Sequence, residues 1–182
     1  MRQHRSHRPS GFTLIELLVV VIILAILAAI VIPQFSSATT DTQESALDAN
    51  LGGLRNAVEL YKVQHNTYPG GTATTGGTCT ATKGTGAVNT AQAFADHLLM
   101  YSDAAGNTCS IGDTATFKYG PYLRKGIPAD PVTSTATVTV QTTGAPLAPA
   151  AATGGWAYDV RSGQIVMNSN ANDSRSRAFS TH

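Results

Sequence analysis

Charge is what this chain has least of. Twelve Lys and Arg stand against eleven Asp and Glu, a formal net charge of +1 in 182 residues. No basic surface of the kind that neutralises a phosphate backbone is evident, so nothing suggests nucleic acid as a partner. Catalytic signatures are missing too. There is no GxSxG, P-loop, HExxH or GxGxxG, and the chain reads as no enzyme. Cysteine is limited to Cys79 and Cys109, and no CxxC or Cys/His spacing supports a zinc site. The length suffices for one soluble domain beside a membrane segment, not evidently for two domains.

What the sequence does have is one long apolar run. Residues 11–33 read GFTLIELLVVVIILAILAAIVIP, with Glu16 as the only ionisable group. About twenty apolar residues are enough to span a bilayer. A carboxylate inside such a run is expensive and needs a partner. The leader before it carries Arg2, Arg5 and Arg8 and no acid, which holds it in the cytoplasm and sends the rest across. An ordinary secretory signal places its small-residue cleavage site after the apolar core. Here the small residue, Gly11, comes before it. Cleavage there would remove the charges, keep the helix and free an amine on Phe12, four residues before Glu16. That carboxylate can then be compensated within its own chain, where the helix N-terminus is partly positive, or by the Phe12 amine of a neighbour. The bland alternative is a plain signal anchor with a stray glutamate near the interface.

These residues resemble the N-terminal signature of type IV pilins and of the pseudopilins of type II secretion. The resemblance implies cleavage between Gly11 and Phe12 by a prepilin peptidase, N-methylation of Phe12, and pairing of Glu16 with a neighbouring Phe12 amine during assembly. Pro33 matches the family's helix-kinking proline, whereas Ala25 stands where many members have glycine. The implied partners are further copies and related pilin-like subunits, the peptidase/methyltransferase, membrane lipid, and an inner-membrane platform with its ATPase motor. The implied location is the bacterial inner membrane, single-pass, with the N-terminus cytoplasmic and the head outside, and then a periplasmic or extracellular filament.

Past Pro33 the helical pattern acquires sides. Leu47, Leu51, Leu54, Val58 and Tyr61 recur at steps of four and three, and the charged residues mostly occupy other faces. Gly52-Gly53 interrupts this stretch at about 2 kcal/mol against alanine, as a close-packing or flexible point or as a weak break. Tyr68-Pro69-Gly70-Gly71 should end the helix. Residues 70–89 read as a Thr/Gly-rich loop. Residues 90–101 read as a short helix capped by Asn89 or Thr90. Alternation predicts strands over 135–141 and 156–167, the latter a hairpin turning at Arg161-Ser162-Gly163 with its aromatic side on the long helix. Residues 168–182 read as a loose polar tail.

The organisation expected is therefore a cleaved leader (1–11), a transmembrane or filament-core helix (12–33), an amphipathic second half (34–68) and a head (69–182). The fold class is α+β: a pilin-like long helix packed on a small antiparallel sheet. The pair Cys79 and Cys109 would lie outside the cytoplasm. There it reads as a disulfide closing a loop of about thirty residues, worth roughly 3 kcal/mol or a little more; two buried free thiols are the alternative. The stretches GPYLRKGIPADP and GGWAYDVRSGQIVMN are similar to the C-terminal part of type II secretion major pseudopilins, which bind calcium in a C-terminal loop. By that resemblance Asp130, Asp159, Asn168, Asn170, Asn172 and Asp173 are weak calcium candidates, and no other cofactor is implied. His65 and His97 read as surface helix residues. Asp96, His97 and Ser102 are close in sequence but poorly placed for a relay on one helix. The functional alternatives are a pseudopilin driving secretion, a type IV pilus subunit for adhesion, motility or DNA uptake, and a membrane-anchored extracytoplasmic enzyme or binding module.

Overall fold

The spacing of four and three from Leu47 to Tyr61 is what anchors the folded part of the chain. In the computed structural model, which describes residues 11–182 apart from the side chains of 30–38, these positions lie on helix α1 (Leu14–His65) and are almost entirely buried. Residues 1–10 of the leader and any kink at Pro33 lie outside what is described. Two compact units divide the chain, Met1–Thr40 and Asp41–His182, so α1 contributes to both. Among the described residues no helix is long and apolar enough to cross a membrane. The described apolar side chains stop at Ala29; from Leu14 that is about 24 Å of helix rise against a hydrocarbon core of about 30 Å.

In the second unit the α1 stripe packs with Phe94 and Leu98 of α2 (Ala91–Leu99) and with Trp156, Tyr158, Val160, Ile165 and Met167. Thr90 caps α2, its hydroxyl accepting from the Ala93 N–H at 3.1 Å. Two short strands follow, β1 (Tyr101–Ser102) and β2 (Thr108–Cys109), antiparallel. The main sheet has three strands in the order β3 (Val138–Gln141), β4 (Trp156–Asp159) and β5 (Ile165–Met167). The β4–β5 hairpin is antiparallel, as the sequence predicts, and its aromatic side joins the α1 core. A short 3-10 turn, Phe179–Thr181, closes the chain.

Three expectations change, and one open alternative is narrowed. The pairing of β3 with β4 is parallel, not antiparallel. Residues 142–155 provide the long crossover that parallel neighbours require, and Leu147 from this crossover covers Ala157 and Val166 on the other face of the sheet. Residues 168–182 are not a loose tail: Ser169, Asp173 and Phe179 are buried. His97 is fully buried rather than a surface residue. Finally, α1 runs unbroken through Gly52-Gly53, and a Cβ built on either glycine meets nothing within 4 Å. Close packing among the described residues therefore does not explain them. Gly53→Ala is expected to stabilise the Asp41–His182 unit by about 1 kcal/mol, since it fills open space and removes backbone freedom from the unfolded chain. The readout is a later denaturant midpoint; an earlier one would mean that the space is not free.

Candidate functional site

Thr13 and Glu16 form the start of α1. The Glu16 carboxylate accepts the Thr13 N–H at 2.8 Å and the Thr13 hydroxyl at 2.7 Å, and the Glu16 N–H reaches back to the Thr13 hydroxyl oxygen at 3.3 Å. This is a capping box, Thr-x-x-Glu, closing two otherwise orphaned donors at a helix N-terminus. Within its own chain, then, Glu16 is engaged. The signal was present in the sequence as Thr13 three residues before Glu16. Gly11 and Phe12 precede the cap in non-helical backbone. The helix that follows is apolar on every side. Phe12 and Leu14 are 79% and 84% exposed, and from Ile15 to Leu27 the large side chains remain about half exposed or more. A helix hydrophobic all round has no polar face to turn to water, and among the described residues these side chains stay exposed.

The head holds the other candidate residues, and the structure places them in separate roles. Cys79 and Cys109 are joined by a disulfide across a separation of 30 residues, a loop closure worth roughly 3–4 kcal/mol by chain entropy. It ties the Thr/Gly-rich segment to β2. Asp96 ties the same segment to α2. One of its oxygens accepts from the Thr74 hydroxyl at 2.7 Å, the Thr85 N–H at 2.8 Å and the Gly86 N–H at 3.0 Å, and the other accepts from Gln92 at 2.6 Å. Sequence reasoning missed this role. The available signal was an acid one turn after Gln92, beside the apolar side of a short helix.

Asp96, His97 and Ser102 do not converge. His97 accepts the Gly70 N–H on Nδ1 at 2.8 Å and faces the Gly106 carbonyl through Nε2 at 2.9 Å, which sets the neutral tautomer with its proton on Nε2. Burial pushes its pKa down to about 4 against the Gly106 carbonyl, which favours the charged ring. Ser102 instead meets His65: its hydroxyl is 3.0 Å from Nε2, while Nδ1 is 3.1 Å from the Tyr61 carbonyl. Burial lowers the His65 pKa as well. Ser102 is fully buried, and the group orienting the ring is a backbone carbonyl rather than a carboxylate.

Of the calcium candidates, Asp130, Asp159, Asn168, Asn170 and Asp173 are already engaged in hydrogen bonds. Asp130 accepts from the N–H groups of Val132, Thr133, Thr135 and Gly155 and from the Thr133 hydroxyl. Asp159 accepts from the N–H groups of Gly144, Arg161 and Ser162 and from the hydroxyls of Thr143 and Ser162. For both, burial works against the charged form, and these donors outweigh it, so the carboxyl groups sit below the usual range. Asn168 donates to the Thr139 hydroxyl at 3.3 Å, Asn170 to the Ala150 carbonyl at 2.8 Å. Among the described residues no group of three or more His, Cys, Asp or Glu is placed to hold a metal.

Residues 6–32 match the family model of the prokaryotic N-terminal methylation motif. Over 65 residues, or 36% of its length, the chain is 37% identical to type II secretion system core protein G of Aeromonas hydrophila, 46% of which is covered. It is 42% identical to that of Pseudomonas aeruginosa over the same shares. It is also 39% identical over 62 residues, 34% of its length, to the type IV narrow pilus major component of Thermus thermophilus, covering 53% of that protein. The chain thus spans about half the length of the curated relatives it matches. No solved structure matches it.

Proposed function

We propose that this chain, which carries a prepilin-type methylation motif and is homologous to type II secretion core protein G and to type IV pilins, is a structural subunit of a membrane-assembled helical filament. The branch favoured is the major-type pseudopilin of a type II secretion system. The single observation that carries the reading is the capped Thr13–Glu16 start of a helix with no solvated face, placed directly after Gly11. In this reading the first stretch of α1 spans the inner membrane once, leader inside and head outside, until the subunit is drawn into the filament. Head-to-tail contacts that do not close would generate that filament. The chain performs no chemistry of its own, and a separate platform and ATPase motor supply the work.

A type IV pilus subunit is the second reading. It is favoured by the Cys79–Cys109 disulfide and by the similarity to the Thermus thermophilus pilus component. A tethered extracytoplasmic enzyme is disfavoured because Ser102 is buried and Asp96 serves to pin a loop.

Processing tests the common core of both filament readings. Mass spectrometry of protein from native membranes is expected to find a chain beginning at Phe12 with a methylated α-amine. A mature terminus beyond Pro33 would show an ordinary signal peptide and sink the proposal.

A further inference from the structure

Asp173 lies at the centre of the C-terminal segment, fully buried at its side chain. One of its oxygens accepts the N–H groups of Arg175 at 2.8 Å and Arg177 at 2.7 Å. The other accepts from Arg177 Nε at 2.9 Å and faces His182 Nε2 at 3.2 Å. A carboxylate has about four lone-pair sites, and here all four are taken. Asp130 and Asp159 each carry five donors, as described above. A calcium ion takes six to eight oxygen ligands at roughly 2.3–2.6 Å, several of them carboxylate. To bind one, any of these three groups would first have to shed donors that are themselves buried or part-buried, and an unpaired buried donor is costly. The carboxylates therefore do not fit the metal that the resemblance to major pseudopilins implies.

The cations that occupy this place belong to the chain. Arg177 forms an ion pair with Asp173 at 2.9 Å. The His182 ring, 2% exposed, lies between Asp173 and Asp48 of α1, its Nδ1 2.8 Å from the Asp48 carboxylate. Each ring nitrogen thus faces a carboxylate oxygen. Next to it, Glu44 of α1 accepts the Ser174 N–H at 2.7 Å and its hydroxyl at 3.0 Å. Arg55 donates to the His182 carbonyl at 2.6 Å. The segment is thus fastened to the helix at both ends by groups of the chain itself.

We propose that the C-terminal segment of this head is closed by an internal clasp, Asp173–Arg177–His182–Asp48, and takes no calcium. The clasp stands on head geometry and is read by melting rather than by filament yield, so its failure would leave the filament reading untouched.

The test is thermal unfolding of the full chain in detergent, with millimolar calcium chloride and with excess chelator. The expected result is the same Tm in both, and for Arg177→Gln a Tm several degrees lower, equally so with calcium and with chelator. A rise of several degrees on adding calcium to the native chain would overturn the proposal. So would an Arg177→Gln variant that melts with the native chain. Should that variant fail to fold, the comparison of calcium with chelator on the native chain still decides.

Discussion

Filaments are expected to be nearly absent from cells carrying Glu16→Gln, while the subunit is inserted and cleaved normally. Glutamine is the informative substitution because of the capping box. At the third helical position Gln reaches back to the cap residue as Glu does, so the Thr13 N–H keeps its acceptor and the start of α1 survives. What is lost is only the charge. If Glu16 serves its own helix alone, Glu16→Gln assembles like the native chain and Glu16→Ala alone is defective. If the carboxylate also docks on the freed Phe12 amine of a neighbour, both variants fail. Removing one member of a desolvated ion pair leaves the other charge uncompensated, on the order of a hundredfold or more in the affinity of each addition. The loss recurs at every subunit. Shearing cells and comparing filament yield with membrane-retained subunit separates the cases, and native yield from Glu16→Gln discards the charge-pairing mechanism.

The head should lose stability between pH 6.5 and pH 4. His97 is neutral in the fold, where burial depresses its pKa to about 4, against about 6.5 in the unfolded chain. Above pH 6.5 neither state holds the extra proton and His97 contributes no pH dependence. As the pH falls, the unfolded chain takes up the proton first, and stability declines until the folded pKa is reached. The full difference is roughly 3 kcal/mol, and His65 adds to it in the same direction. The buried aspartates act in a lower window, because the pKa values of Asp130, Asp159 and Asp173 are themselves depressed, that of Asp173 to about 2. Their contribution is still mostly present at pH 4 and is lost mainly below it. Denaturant titrations of the full chain in detergent at pH 7 and near pH 4 should show the loss. His97→Gln, which cannot titrate, should start less stable and change less with pH. Equal native stability at the two pH values would refute this account of His97.

The sequence was most readable where the pattern is local. The α1 stripe, the Thr90 cap and the β4–β5 hairpin each depend on residues within a few positions of one another, and the structure shows all three. The disulfide was legible through compartment and loop length rather than geometry. The parallel pairing of β3 with β4 was not legible, because it depends on a crossover that, apart from Leu147, is all Thr, Ala, Gly and Pro and has no periodicity of its own. The C-terminal segment was misread for a related reason. Its polar residues look solvated in sequence, yet their partners Glu44 and Asp48 lie 130 and 134 positions away from Ser174 and His182. Nothing in a window of ordinary length connects them. The capping box was overlooked although its spacing was in plain view, since the apolar run drew Glu16 toward a partner in another chain.

The fastening of residues 173–182 along α1 has a mechanical side. Glu44, Asp48 and Arg55 hold that segment at points spread over about three turns of one helix, and Asn50 adds a bond to the Ala129 carbonyl at 3.2 Å. A pull along the α1 axis would strain these bonds together, in shear, instead of opening them one after another like a zipper. Resistance to forced unfolding is set by the unfolding rate rather than by equilibrium stability. Bonds strained side by side share the tension, so the first step of extraction requires several to break at once. The head is therefore built to stay attached to its helix under traction, independently of its equilibrium stability.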